Sequence, residues 1–62
     1  MSPKDAATAA QSILDKRVGE NSFRVLVDNP NDCKATIAAF RQLNCKVKVE
    51  LDGARLTITR QP

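Results

Sequence analysis

Cys45-Lys46-Val47-Lys48-Val49-Glu50-Leu51-Asp52-Gly53-Ala54-Arg55-Leu56-Thr57-Ile58-Thr59-Arg60 is the stretch that decides the fold. Apolar and polar residues alternate on both sides of Asp52-Gly53, the period of a strand with one buried face. Asp-Gly is also the pair a type I′ turn favours, because both central residues of that turn need a positive φ. The stretch therefore reads as a hairpin of two strands, Cys45–Leu51 and Ala54–Arg60. Cys45, Val47, Val49 and Leu51 share the inward phase. Lys46, Lys48, Arg55, Thr57 and Thr59 share the outward one, opposed in charge only by Glu50.

Upstream of the hairpin, Asn44 suits the left-handed residue that closes a helix. That helix begins at Asn29-Pro30, with Asn29 as cap, Pro30 at the first position and Asp32 in the first turn. Its buried stripe would be Cys33, Ile37, Phe40 and Leu43, with Thr36 at the margin and Lys34, Ala38, Arg41 and Gln42 turned away. Before it, Phe23-Arg24-Val25-Leu26-Val27 is a short strand with Phe23, Val25 and Val27 on one face and Arg24 and Leu26 on the other. The chain opens with Ser2-Pro3-Lys4-Asp5, a second helix start of the same chemistry. Ala6, Ala10, Ile13, Leu14 and Val18 form its apolar stripe and Gly19 ends it.

The order is helix, strand, helix, strand, strand. A right-handed crossover between the first two strands predicts an α/β (α+β) two-layer sandwich, with two helices on one face of a mixed three-stranded sheet. Residues 1–62 make one domain, with no repeat or linker. The core of so short a chain is small, since a domain of this size buries only about 60% of its unfolded surface. A composition of 42% hydrophobic and 27% charged residues is that of a globular protein. No apolar run approaches the roughly 20 residues needed to cross a bilayer. Met1 to Leu14 lacks the pattern of a secretion signal, and the expected location is the cytoplasm. There Cys33 and Cys45 are expected as reduced thiols rather than as a disulfide.

Several words of the chain are together familiar: Val25-Leu26-Val27-Asp28-Asn29-Pro30, a helix carrying Phe40, Val47 to Leu51, Asp52-Gly53, and Leu56-Thr57-Ile58-Thr59. They resemble the TusA/SirA/YedF-like family of small sulfur-carrier proteins, over roughly Ser2 to Arg60. The resemblance implies a βαβαββ fold and a sulfur-carrying Cys in a Cys-Pro-x-Pro motif at the first helix start. This chain departs from that pattern. Ser2-Pro3-Lys4-Asp5 stands where the motif would be, so Ser replaces the nucleophilic Cys and Asp the second Pro. The family's first strand is missing, and Asn44 replaces a usual Gly. A hydroxyl without an adjacent base cannot carry a persulfide. The missing strand leaves one side of the sheet unpaired, so that either the sheet is reordered or another chain covers it, by self-association or by a partner's strand.

Enzymatic chemistry finds few residues to work with. There is no His, the commonest general base, and two Cys do not complete a zinc site. Ser2 is explained by capping. Asp28 and Asp32 are explained by the turn and helix start, and are too few for a calcium loop. Gly19 and Gly53 are too far apart for a phosphate loop. No enzyme activity, cofactor or metal is expected. Cys33 has two readings: a thiol activated by the helix N-terminus, or the first member of a buried stripe. Cys45 reads as a packing residue. Arg24, Lys46, Lys48 and Arg55 form a candidate binding face that is either solvated or a platform for an acidic protein or RNA. Both Phe residues are expected inward, so the face carries no ring on which bases would stack. Three functions follow: a non-catalytic binding or assembly module, with self-association or a protein partner at the sheet edge and a place in sulfur-transfer metabolism; a sulfur carrier using Cys33; or an RNA-binding module.

Overall fold

The computed structural model describes Met1 to Pro62 as an α+β fold. The elements are α1 (Pro3–Lys16), β1 (Ser22–Leu26), α2 (Cys33–Gln42), β2 (Cys45–Glu50) and β3 (Arg55–Arg60), with single tight turns at Pro30–Asp32 and Leu51–Gly53. Both expected caps form, although only Ser2 caps an α-helix directly, and Asn29 caps the turn that precedes α2. Ser2 Oγ accepts the Asp5 N–H at 3.1 Å, and Asn29 Oδ1 accepts the Asn31 N–H at 3.0 Å. Pro30 opens a tighter turn from which α2 continues at Cys33, so the α-helix starts three residues later than the capping pattern implies. Thr36 Oγ1 donates to the Asp32 carbonyl at 2.8 Å and ties the turn to the helix.

The C-terminal end of α1 is held by a residue far away in sequence. Arg60 donates to the carbonyls of Leu14 (2.8 Å), Arg17 (2.9 Å) and Glu20 (2.8 Å), adding to the bonds that Leu14 and Arg17 already accept from the Arg17 and Glu20 N–H groups. Arg17 pairs with Glu20 at 3.3 Å and lies 5.1 Å over the Phe23 ring. The helix stops at Lys16, before Gly19 (φ 88°), so Val18 falls outside the stripe assigned to it and is 83% exposed.

The sheet runs in the order β1-β3-β2, and every neighbouring pair is antiparallel. The expected mixed sheet is corrected by β3, which inserts between β1 and β2. Those two strands run the same way, as a crossover requires, but never touch. The hairpin register pairs Glu50 with Arg55 and Val47 with Ile58, as Asp52-Gly53 implies. Asp52 (φ 55°, ψ 31°) and Gly53 (φ 96°) both have positive φ, and the Ala54 N–H closes the turn on the Leu51 carbonyl at 3.0 Å. Leu51 also has positive φ (53°), so β2 ends at Glu50 and β3 begins at Arg55, each one residue short of the expected strand. β1 is displaced likewise, spanning Ser22–Leu26 instead of 23–27.

The core joins Ala6, Ala10 and Leu14 of α1 and Ala39 and Phe40 of α2 to Phe23, Cys45, Leu56 and Ile58 of the sheet. Phe40, Leu56 and Ile58 are fully buried, and Phe40 meets Phe23 edge to face at 6.4 Å. Small residues on α1 and at Ala39 let the two helices approach closely, which is why Ala39 outranks the expected Ile37 in burial. At the turn end of the hairpin the core gives out. Val49 and Leu51, expected inward, are 47% and 64% exposed: β2 is an edge strand, and the start of α2 packs at Cys33 on Gly53 instead of on them.

Candidate functional site

Alternation places the four expected cations on the face of the sheet opposite the core. Arg24 of β1 and Lys48 of β2 both register with Thr57 of β3, so one row across the sheet reads Arg24-Thr57-Lys48. The next rows read Ser22-Thr59-Lys46 on one side and Leu26-Arg55-Glu50 on the other. With strands spaced about 4.8 Å apart, the backbones of Arg24 and Lys48 stand roughly 10 Å apart across Thr57. Arg24, Lys46 and Lys48 are exposed and have no acidic group within ion-pair distance.

Arg55 differs from the other three. Its guanidinium donates to Glu50 Oε2 at 2.7 Å, while Thr57 Oγ1 donates to Glu50 Oε1. These two hydrogen bonds, Thr57 first and Arg55 second, hold the Glu50 carboxyl below its ordinary pKa of 4.5, helped by the charges of Arg55 and Lys48. Arg55 Nε is buried without an acceptor, so the fork is only partly satisfied. The site therefore divides into a self-neutralised corner, Glu50-Arg55-Thr57, and an unneutralised rank of Arg24, Lys46 and Lys48. An open depression of about 770 Å³ runs from Arg17 and Glu20 past Arg24 to Lys48 and Glu50.

The two thiols are both free. Cys33 is half-buried, and its Sγ lies 3.2 Å from where a Cβ on Gly53 would be, so α2 packs directly on the hairpin turn. Cys45 is buried, with its S–H directed at the Leu43 carbonyl at 3.7 Å. Ser2, Asp28 and Asp32 do not converge on a common centre with either sulfur: Ser2 caps α1, and Asp32 meets the Met1 amino group at 3.0 Å. Arg60 is the polar residue that the sequence reading left without a role. Its parity with Leu56 and Ile58 puts it on the helix side of β3, and that parity was the available signal.

No family model, curated protein or solved structure matches this chain. The likeness to the sulfur-carrier family therefore rests on the residues quoted above.

Proposed function

We propose that the chain is a non-catalytic binding module, built as two layers, with its helices over the apolar face and its polar face left uncovered to dock an acidic protein surface. The observation that carries this reading is the rank of Arg24, Lys46 and Lys48, three exposed cations without counter-charges on one side of one sheet. Unneutralised charges of one sign on a rigid sheet steer and orient a partner of opposite sign. Arg24, Lys46 and Lys48 make the contacts, and Arg55 serves as a strut that fixes the hairpin end of the face. RNA is the less favoured partner, because no aromatic side chain stands on this face to stack on a base. A persulfide role for Cys33 is the less favoured reading, because the sulfur is half-buried and packs toward Gly53.

The test uses poly-glutamate and an oligouridylate of matched charge as probes, followed by fluorescence anisotropy across a salt series. Poly-glutamate binding that weakens with salt and disappears on combined Arg24→Glu, Lys46→Glu and Lys48→Glu substitution is the expected result. Tighter binding of the oligouridylate, lost in the same variant, transfers the face to RNA. Unchanged poly-glutamate binding in the variant overturns the reading.

A further inference from the structure

Antiparallel pairing also determines where the unused backbone groups point. The Arg60 N–H bonds to the Asn21 carbonyl at 2.7 Å and the Val27 N–H to the Ala54 carbonyl at 2.9 Å, which brackets β1 and aims its odd-numbered residues at β3. The N–H and C=O groups of Ser22, Arg24 and Leu26 therefore face away from the sheet. β1 is an edge strand, and nothing in the chain pairs with that side.

Alongside this edge lies a groove in two adjoining sections of about 580 and 220 Å³, which share Ile13, Val25 and Leu26. Helix α1 forms one wall through Ala9 and Ile13, and β1 forms the other. The groove is electrically polar. Lys16 and Arg24, which have no ion-pair partners, lie in the first section beside the mutually paired Arg17 and Glu20, whereas Asp28 borders the second beside Asp32, which is paired with the Met1 amino group. A free strand edge beside an apolar wall is the geometry in which an extended segment adds to a sheet, its backbone bonding to the edge and its alternate side chains filling the wall.

Resting on the reading that the partner is an acidic protein, we infer that the β1 edge accepts one extended segment of that partner. Its side chains would be apolar at alternate positions toward Ile13 and Val25, and a carboxylate would stand at the Lys16 and Arg24 end. A second copy of this chain is a poor occupant. Twofold pairing of β1 along its full length sets Arg24 opposite Arg24, and like charges directly opposed are destabilising. The same twofold axis leaves both α1 helices on one side of the joint, where each already walls the groove.

The experiment is selection of a random octapeptide display library on the full chain, followed by synthesis of the enriched peptides. Enrichment of alternating apolar residues with a terminal-side carboxylate is expected, together with slowed amide exchange at Ser22, Arg24 and Leu26 when peptide binds. Leu26→Pro removes an outward N–H while sparing Arg24 and the bonds to β3, and edge strands tolerate proline there. That variant is expected to bind about tenfold more weakly or worse, the worth of one or two backbone hydrogen bonds. Ala9→Glu, a change at an exposed position on the groove wall, is expected to weaken binding without disturbing the strand.

The inference is overturned by an absence of enrichment, by peptides indifferent to Leu26→Pro, or by protection appearing at Val47 and Val49 on the opposite edge. It is also overturned if sedimentation finds a dimer that Leu26→Pro dissolves, since the occupant is then a second copy. The Lys46→Glu, Lys48→Glu pair separates this inference from the reading beneath it. Peptide binding that survives the pair but not Leu26→Pro retains the groove and discards the basic face, and the reverse pattern does the opposite.

Discussion

Thr57 and Ile58 are neighbours in β3, yet they belong to two different economies of the molecule. Ile58 and its phase-mate Leu56 are fully buried among helix side chains, whereas Thr57 sits between Arg24 and Lys48 on a face where charges meet water. The apolar face supplies the folding energy, and the polar face is free to be chosen for something else. With nine residues in its buried core, the protein has little redundancy on the first face. The second face tolerates three unpaired cations because they remain solvated.

The largest effect that tests this division is on the buried side. Leu56→Ala is expected to cost about 2–5 kcal/mol, as cavity-forming core truncations do, which for so small a domain approaches its whole stability. Lys46→Ala, Lys48→Ala and Thr59→Ala are expected to fall within about 0.5 kcal/mol of the parent. Urea denaturation followed by circular dichroism measures both sets. A polar-face substitution that destabilises as much as Leu56→Ala would show that the two faces are not separable.

Arg60 refines the contrast, because it is a cation on the apolar side. In phase with Leu56 and Ile58, it reaches past the core to the Leu14 carbonyl of α1 and the Arg17 and Glu20 carbonyls just beyond it. Arg60→Ala removes a charged donor from partly buried acceptors and is expected to cost about 1.5–3 kcal/mol. Arg60→Lys is expected to recover only part of this, since an ammonium cannot reproduce the guanidinium fork. Amide exchange at the C-terminal turn of α1 should quicken in both variants. Exchange rates there equal to those of the parent would mean the helix end is held by its own turn, Arg17 to Glu20, and not by β3.

The two faces also explain what was legible in the sequence. Period-two alternation around Asp52-Gly53 specified the hairpin, its register and the side to which Lys46, Lys48 and Arg55 turn, and alternation within Phe23–Val27 did the same for Arg24, because each of these depends on neighbours in sequence. The start of α1 was legible for the same reason, through Ser2-Pro3, whereas Asn29-Pro30 marked only the turn that precedes α2. The position of β3 between β1 and β2 was not, since nothing in β3's own residues states which strand lies on its far side. The extent of the core was equally hidden. Val49 and Leu51 carry the inward phase but lie on an edge strand and its turn, where the start of α2 packs on Gly53 instead, and phase does not report which residues a helix covers. Arg60 was obscured by its charge, which suggested solvent although its parity indicated the helices. On the polar face, the neutralisation of Arg55 by Glu50 was a matter of register, and register was available: the pair stands directly opposite across the turn.

That corner gives the smallest effect and the one most specific to the polar face. Thr57 and Arg55 both donate to the ionised Glu50 carboxylate, and they hold its pKa in the folded protein below the ordinary value of 4.5. A carboxyl depressed by folding binds its proton more readily when unfolded. Its contribution to stability is therefore complete above the unfolded pKa and is lost as pH falls through the lower folded pKa. Stability measured between neutral pH and pH values below 4.5 should fall on the acid side, and Glu50→Gln should flatten that part of the profile while leaving the neutral limb parallel. Thr57→Val removes the first of the two donors and should flatten the acid limb in part, with Arg55 still in place. If Glu50→Gln leaves the acid limb unchanged, the fall belongs to the other carboxylates, and the corner is an ordinary solvated pair like the rest of its face.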